Sequence, residues 1–364
     1  MTCSINRQET EHAFNNRRAQ QREELTMLKK SLFGLAAALS AITLLAPGGA
    51  SANDIKLTAT AIGRPPIFSN TFADVGEALG IWKKVGLDMN FRWFQRGTDT
   101  AKAVVTGDAQ VGYTATPVAV NLIGAGAPIV IVAGMPNQDW IIGSDLPKVK
   151  GCKDLKGQTV AADGINNARW LFLKSEAESC SLSLKDMTPI DLANAPLVKA
   201  GIAGQVHVAV FHVDELAQIE FKTGKKWHLI PVPASIKAGL HYGSVLASKK
   251  AIADNKEGVI RFLEGWIMTQ KFMSSTKPAD QKKFAEIAAK ASQIDVKVAE
   301  GAIKSFQNIN YWVNNDGLNE KQMLGQVHEM VKDGLLKKDA QPSYDKLVDK
   351  SLYNEAMKRV NAMK

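Results

Sequence analysis

Cysteine is scarce in this chain of 364 residues, with three in all, and no run of them stands at metal-ligand spacing. That excludes a thiolate-held zinc or iron–sulfur centre. There is no glycine-rich phosphate loop and no Ser or Cys nucleophile in a recognisable local context, so nothing points to phosphoryl or acyl transfer. No cofactor is implied. No cluster of Lys and Arg is interleaved with aromatics, and the basic residues of the C-terminal third, such as Lys337, Lys346 and Lys358, alternate with acids as solvated helix faces do. Nucleic acid is therefore not an expected partner. Long apolar runs are absent after the first 45 residues, and no internal repeat is visible.

What is present begins with a leader. Lys29 and Lys30 precede an uncharged apolar stretch from Leu32 to Leu45, followed by Pro47, Gly48 and Gly49 and then by Ala50-Ser51-Ala52. Charge, apolar stretch and small residues in this order form a secretory signal peptide, and the stretch is too short to span a bilayer. Residues 1–52 are thus read as an N-terminal extension and signal peptide, with Met27 as the expected start and Asn53 as the first mature residue. Asn53 in place of Cys argues against a lipid anchor. Without residues 1–52 the chain has 39 basic and 32 acidic residues, a net charge of +7, which favours anionic partners only weakly.

Beyond the leader, strand and helix signals alternate with short joints marked by glycine, the pattern of an α/β protein with mainly parallel sheets. Ile55–Ile62 reads as a strand. Phe72, Val75, Leu79 and Trp82 then recur at helical spacing until Gly86. Leu87, Met89, Phe91 and Trp93 alternate with polar residues as a half-buried strand does, and Gln110–Tyr113 and Ile129–Ala133 follow as further strands. Thr116-Pro117 reads as a helix cap followed by a first-turn proline. A second run has strands at Thr159–Asp163, Met187–Leu192, Val206–His212 and His228–Val232, with Gly134–Gly143 as a loop before it. After Asn255 the chain is almost wholly helical. The expected architecture is two lobes: residues 53–138 and 244–364 form the first, residues 139–243 the second, and two crossovers act as a hinge.

Five stretches in register resemble a known family: Ala78-Leu79-Gly80-Ile81-Trp82-Lys83-Lys84-Val85-Gly86-Leu87, Gly107-Asp108-Ala109-Gln110-Val111-Gly112, Gly126-Ala127-Pro128-Ile129, Asp154-Leu155-Lys156-Gly157-Gln158-Thr159-Val160 and Gly204-Gln205-Val206-His207-Val208-Ala209. The family is that of periplasmic solute-binding proteins of ATP-driven (ABC) importers, in the nitrate/sulfonate/taurine and thiamine-pyrimidine-precursor group. Where His207 and Gln110 stand, the family usually has Asp. The resemblance implies a type II periplasmic binding fold, a monomer in the periplasm, a small-molecule ligand in the cleft between the lobes, and a membrane permease as partner. A small organic anion or a flat heteroaromatic molecule is the expected ligand. Two alternatives stay open, an enzyme of pyrimidine or menaquinone precursor synthesis on the same fold and a periplasmic sensor partner.

Ligands of open α/β sheets sit beyond the carboxyl ends of the strands, where helix starts offer free N–H groups. That rule selects Arg64 and Phe68 after the first strand, with Arg64 suited to a forked bond with an anion. It also selects Tyr113, Thr114 and Thr116 after the third strand and Trp140 on the first crossover, with the aromatic rings as stacking walls. In the second lobe it selects Asn166 and Asn167 at a helix start and His212 beside Asp214 and Glu215. Each has an ordinary structural alternative: surface arginine, helix cap or core aromatic. Cys152 precedes one strand, and Cys180 follows the helix that runs back antiparallel to it. The two are expected to meet in a disulfide at the edge away from the cleft, with a pair of free thiols as the alternative.

Overall fold

The computed structural model describes residues 54–164, 167–233 and 240–363. The expected leader, the start at Met27 and Asn166 lie outside the described residues.

The strands are β1 (Ile55–Ile62), β2 (Leu87–Phe94), β3 (Val111–Ala115), β4 (Ile129–Met135), β5 (Ile141–Ser144), β6 (Thr159–Ala162), β7 (Thr188–Asp191), β8 (Val208–Phe211), β9 (His228–Ile230) and β10 (Gly243–Ser248). They form two five-stranded sheets, ordered β2-β1-β3-β10-β4 and β7-β6-β8-β5-β9. In each sheet four strands run one way and a single strand runs against them. The reversed strand is β10 in the first sheet and β5 in the second. Each reversed strand arrives by a crossover. The chain leaves the first sheet after Met135 to enter β5, and returns after β9 to insert β10 between β3 and β4. The mainly parallel α/β class is therefore correct, and the two sheets share one topology that no sequence repeat announces.

Local sequence explains most of the elements. The alternation in β2 gives an edge strand with one buried face, whereas the uninterrupted apolar run of β4 is buried throughout. The helical spacing after β1 is realised as two short helices, Phe72–Ala78 and Ile81–Lys84, because Gly80 takes a left-handed φ of 63° between them. The expected cap at Thr116 is a correction. Ala115 precedes helix Thr116–Gly124, and Thr116 is its first residue, with its hydroxyl engaged elsewhere. The segment read as a loop before residue 143 also contains β5, whose four residues are too few for alternation to show.

The C-terminal helices cover the first sheet. Trp82 stacks on Phe262 of helix Lys256–Met273 with ring centroids 5.6 Å apart. Helix Val296–Asn308 packs against helix Val213–Thr223 of the second sheet, so the cover reaches both sheets. A close backbone approach locks the corner below β4. Gly317 has φ 67°, and a Cβ there would stand 2.0 Å from the Gly134 carbonyl oxygen. Among the described residues no helix is long and apolar enough to cross a membrane.

Cys152 opens the short helical turn before β6, and Cys180 ends helix Ala168–Ser179, with Cα atoms 6.2 Å apart and the sulfurs bonded. The bridge closes a loop of 28 residues. In the chain-entropy account such a loop contributes about 3–4 kcal/mol. Cys152→Ala/Cys180→Ala is expected to lower the unfolding free energy by that amount with no thiol reactive in the parent protein. Two reactive thiols per unfolded, unreduced mature chain contradict it.

Candidate functional site

A cavity of about 350 Å³ lies where the carboxyl ends of strands from both sheets converge. From the first sheet it is lined by Ile62 after β1, by Gln95, Arg96 and Gly97 after β2, and by Tyr113 and Ala115 of β3. From the second it is lined by Asp163 after β6, by Asp191 at the end of β7 and Asn194 beyond it, and by His212 after β8. Trp140 and Tyr242 enter from the two crossovers, with ring centroids 5.0 Å apart and edge to face.

Of the residues chosen from the sequence, Tyr113, Trp140, Asn167 and His212 line this cavity. Arg64 does not. Its guanidinium donates to Asp74 at 2.8 Å and stacks on Trp93 at 4.0 Å, because the loop after β1 turns it toward the outer face of β2. The side chain of Phe68 also points away, stacked on Phe306 at 5.5 Å within the helical cover. Thr114 donates to the Gly97 carbonyl at 2.7 Å and is buried behind the cavity wall. Thr116 and Ser244 join His241 in a buried hydrogen-bond chain. His241 Nε2 lies 2.7 Å from the Gly317 carbonyl, which fixes the proton on Nε2, so that Nδ1 accepts from the Thr116 hydroxyl at 2.7 Å. These positions lie off the cavity for one reason: a strand end names a loop, not the direction in which its side chains point.

Arg96, Asp163, Arg169 and Asp191, none of them chosen from the sequence, carry most of the cavity's charge. Arg169, on the first turn of helix Ala168–Ser179, makes a two-pronged pair with Glu215 at 2.8 and 3.0 Å. The same guanidinium donates to Asn194 Oδ1 at 2.8 Å and to the Val210 carbonyl at 3.2 Å. Both partners are almost fully buried. Arg96, from the first sheet, reaches Asp191 of the second at 2.9 Å at the open rim. His212 Nδ1 lies 2.8 Å from Asp139 Oδ1, and both side chains are buried. Their signal in the sequence is position: Asp163, Asp191 and Arg96 all sit at strand ends.

Burial and pairing set the charge states. Burial alone would lower the His212 pKa, but Asp139 outweighs it and the net shift is upward. Burial pushes the Asp163 carboxyl up to about 6, with Arg169 opposing. Burial likewise raises Asp214 to about 7, although its Oδ2 accepts the Phe68 backbone N–H at 2.9 Å. That bond ties the end of β8 to the loop after β1, so Asp214 and Phe68 join the two sheets. Among the described residues, two buried polar atoms on side chains that line the cavity have no partner at hydrogen-bond distance, Asn70 Oδ1 and Trp140 Nε1, while the Tyr113 hydroxyl bonds to Tyr311. Left dry and unpaired, such groups cost about 1–3 kcal/mol each, so a polar ligand has partners waiting. Among the described residues no group of three His, Cys, Asp or Glu is placed to hold a metal ion.

Two outcomes follow from this geometry. Glu215→Gln strands a buried guanidinium and is expected to cost about 3–5 kcal/mol of stability, while the double change Arg169→Met/Glu215→Leu recovers most of it. Chemical denaturation of the three variants checks this, and an additive loss in the double variant contradicts it. Burial lowers His241 to about 4. Its contribution is fully present above its ordinary pKa of 6.5 and is lost as pH falls toward 4, to about 3 kcal/mol. Nuclear magnetic resonance at pH 5.5 is expected to show a neutral ring protonated at Nε2, and an imidazolium there contradicts the assignment.

A family model described as NMT1/THI5 like matches residues 70–274. No curated protein is similar enough in sequence to count as a relative. Among solved structures, a protein from Bordetella bronchiseptica RB50 superposes with a TM-score of 0.70 at 18% identity, over 85% of this chain and 99% of that one. The alkanesulfonate-binding protein SsuA from Xanthomonas axonopodis pv. citri, bound to MOPS, gives 0.64 at 16%, over 79% and 96%. The periplasmic nitrate-binding protein NrtA from Synechocystis PCC 6803 gives 0.68 at 13%, over 84% and 88%. Identities this low establish a shared fold. With the family model spanning more than half of its length and the fold of periplasmic binding proteins around its cavity, the chain belongs to the NMT1/THI5-like family.

Proposed function

We propose that this chain is a solute-binding protein that captures one small, flat ligand between two lobes and passes it to the permease of an ABC importer outside the cytoplasm. The lobes are the two sheets with their helices, the first reassembled from segments on either side of the second. The observation that carries the reading is the cavity at the strand ends of both sheets, walled by Tyr113, Trp140 and Tyr242 and with Asp163, Asn194 and His212 among its polar lining. Aromatic walls with a few polar groups are how small-molecule sites are usually built. The family and the fold of sulfonate- and nitrate-binding relatives support the same role. Export by the leader at residues 29–52 would place the chain where such relatives work.

The bonds between the sheets make closure a two-state matter. Arg96–Asp191 and Phe68–Asp214 form only when the sheets are together. The first is exposed and contributes little by itself, so a ligand filling the cavity supplies the bias toward closure.

The His212–Asp139 pair beside the cavity favours a second reading, catalysis on the bound molecule. Recovery of the captured compound chemically changed would decide for it.

Trp140→Ala removes one wall and is expected to weaken ligand binding at least tenfold. Scattering from the free and liganded protein is expected to show a smaller radius of gyration with ligand. Unaltered affinity in the variant removes Trp140 from the site, and an unchanged radius with a bound ligand contradicts closure.

A further inference from the structure

We propose that Asp163 determines the specificity of the cavity, selecting a flat ligand that presents a cationic pair of N–H donors, an amidinium or a protonated amino-heterocycle, over an organic anion of the same shape. The inference rests on the cavity reading above and concerns which charge that cavity takes.

Each cationic side chain at the cavity already has a carboxylate of its own. Glu215 holds Arg169 through two bonds, Asp191 holds Arg96, and Asp139 holds His212. An incoming anion would have to displace one of these acids, and the Arg169–Glu215 pair is buried and bidentate, the hardest kind to exchange. Asp163 is the acid left over. Its Oδ1 accepts the Trp170 backbone N–H at 3.0 Å, and among the described residues it has no other hydrogen bond. The residue is half-buried and lines the cavity, and among the described residues its second oxygen has no hydrogen-bond partner. A planar amidine-like edge offers two parallel N–H groups, one to the unpartnered oxygen and one to the remaining lone pair of Oδ1, and the neighbouring rings of Trp140 and Tyr242 suit a flat ligand. The sulfonate- and nitrate-binding proteins of the same fold bind anions, so this cavity would have the opposite preference on a shared scaffold.

Charge state agrees with the geometry. Arg169, His212, Asp191 and Arg96 are the charged groups that face Asp163. Burial raises its carboxyl to about 6, with Arg169 opposing, so it is ionised at pH 7.5 and loses its charge as pH falls below 6. Affinity for a permanent cation should therefore fall over that range.

Benzamidine, benzoate and benzamide share a shape and differ in charge, and calorimetry with each on the mature protein tests the proposal. Benzamidine is expected to bind at least tenfold more tightly than benzoate at pH 7.5, and to lose at least fivefold between pH 7.5 and 5. In Asp163→Asn, which keeps the acceptor for the Trp170 N–H, the preference over benzamide should vanish. Benzoate binding as tightly as benzamidine, with Trp140→Ala abolishing both, leaves the cavity in place and overturns the role of Asp163. A preference for benzamidine that survives Asp163→Asn overturns it too. If none of the three binds and a ligand confirmed by other means is unaffected by Trp140→Ala, the cavity reading and the specificity assignment fall together.

Discussion

The bidentate contact between Arg169 and Glu215 organises the second half of this molecule. Its guanidinium gathers three separate strand ends at one point. It sits on the helix after β6, bonds Asn194 after β7, and reaches the Val210 carbonyl within β8 as well as Glu215 on the helix after β8. Glu215 in turn accepts the backbone N–H of His212 at 2.8 Å, which places that imidazole beside Asp139. A pair so deeply buried gains little net stability over apolar residues of equal volume. Its effect lies in fixing where the loops stop, and the cavity floor is the result.

From that floor the polar arrangement follows almost by elimination. Cations at the cavity are matched to acids, the aromatic rings supply walls, and among the described residues Asn70 Oδ1, the Trp140 indole N–H and one oxygen of Asp163 have no hydrogen-bond partner. The link between the sheets runs through the same elements. Asp214, one residue before Glu215, accepts the N–H of Phe68, whose ring is anchored in the helical cover of the first sheet. Movement of either sheet is thereby coupled to the residues that line the cavity.

Strands and helices were legible in the sequence wherever alternation or helical spacing extended over more than a few residues, as in β1, β2, β4 and helix Lys256–Met273. The four-residue β5 was not, and neither was the insertion of β10 between β3 and β4, since strand order is a tertiary property. The same limit governed the site. Residues on the crossovers and at helix starts, Trp140 and Asn167, were found because the strand-end rule locates them. Arg64 was misplaced because Asp74 and Trp93, ten residues on and one strand away, compete for its guanidinium. Gln110, in a position where the family usually has Asp, still supplies a side-chain acceptor, to the Thr58 N–H at 2.7 Å.

The measurement that bears most directly on the account is a crystal structure of the mature protein purified without refolding, with the small molecule it retains from cells. The account predicts one molecule per chain in the cavity between the two sheets, flat against Trp140 and Tyr242 and within hydrogen-bond distance of Asp163. A ligand bound elsewhere, with this cavity filled by solvent, would contradict it.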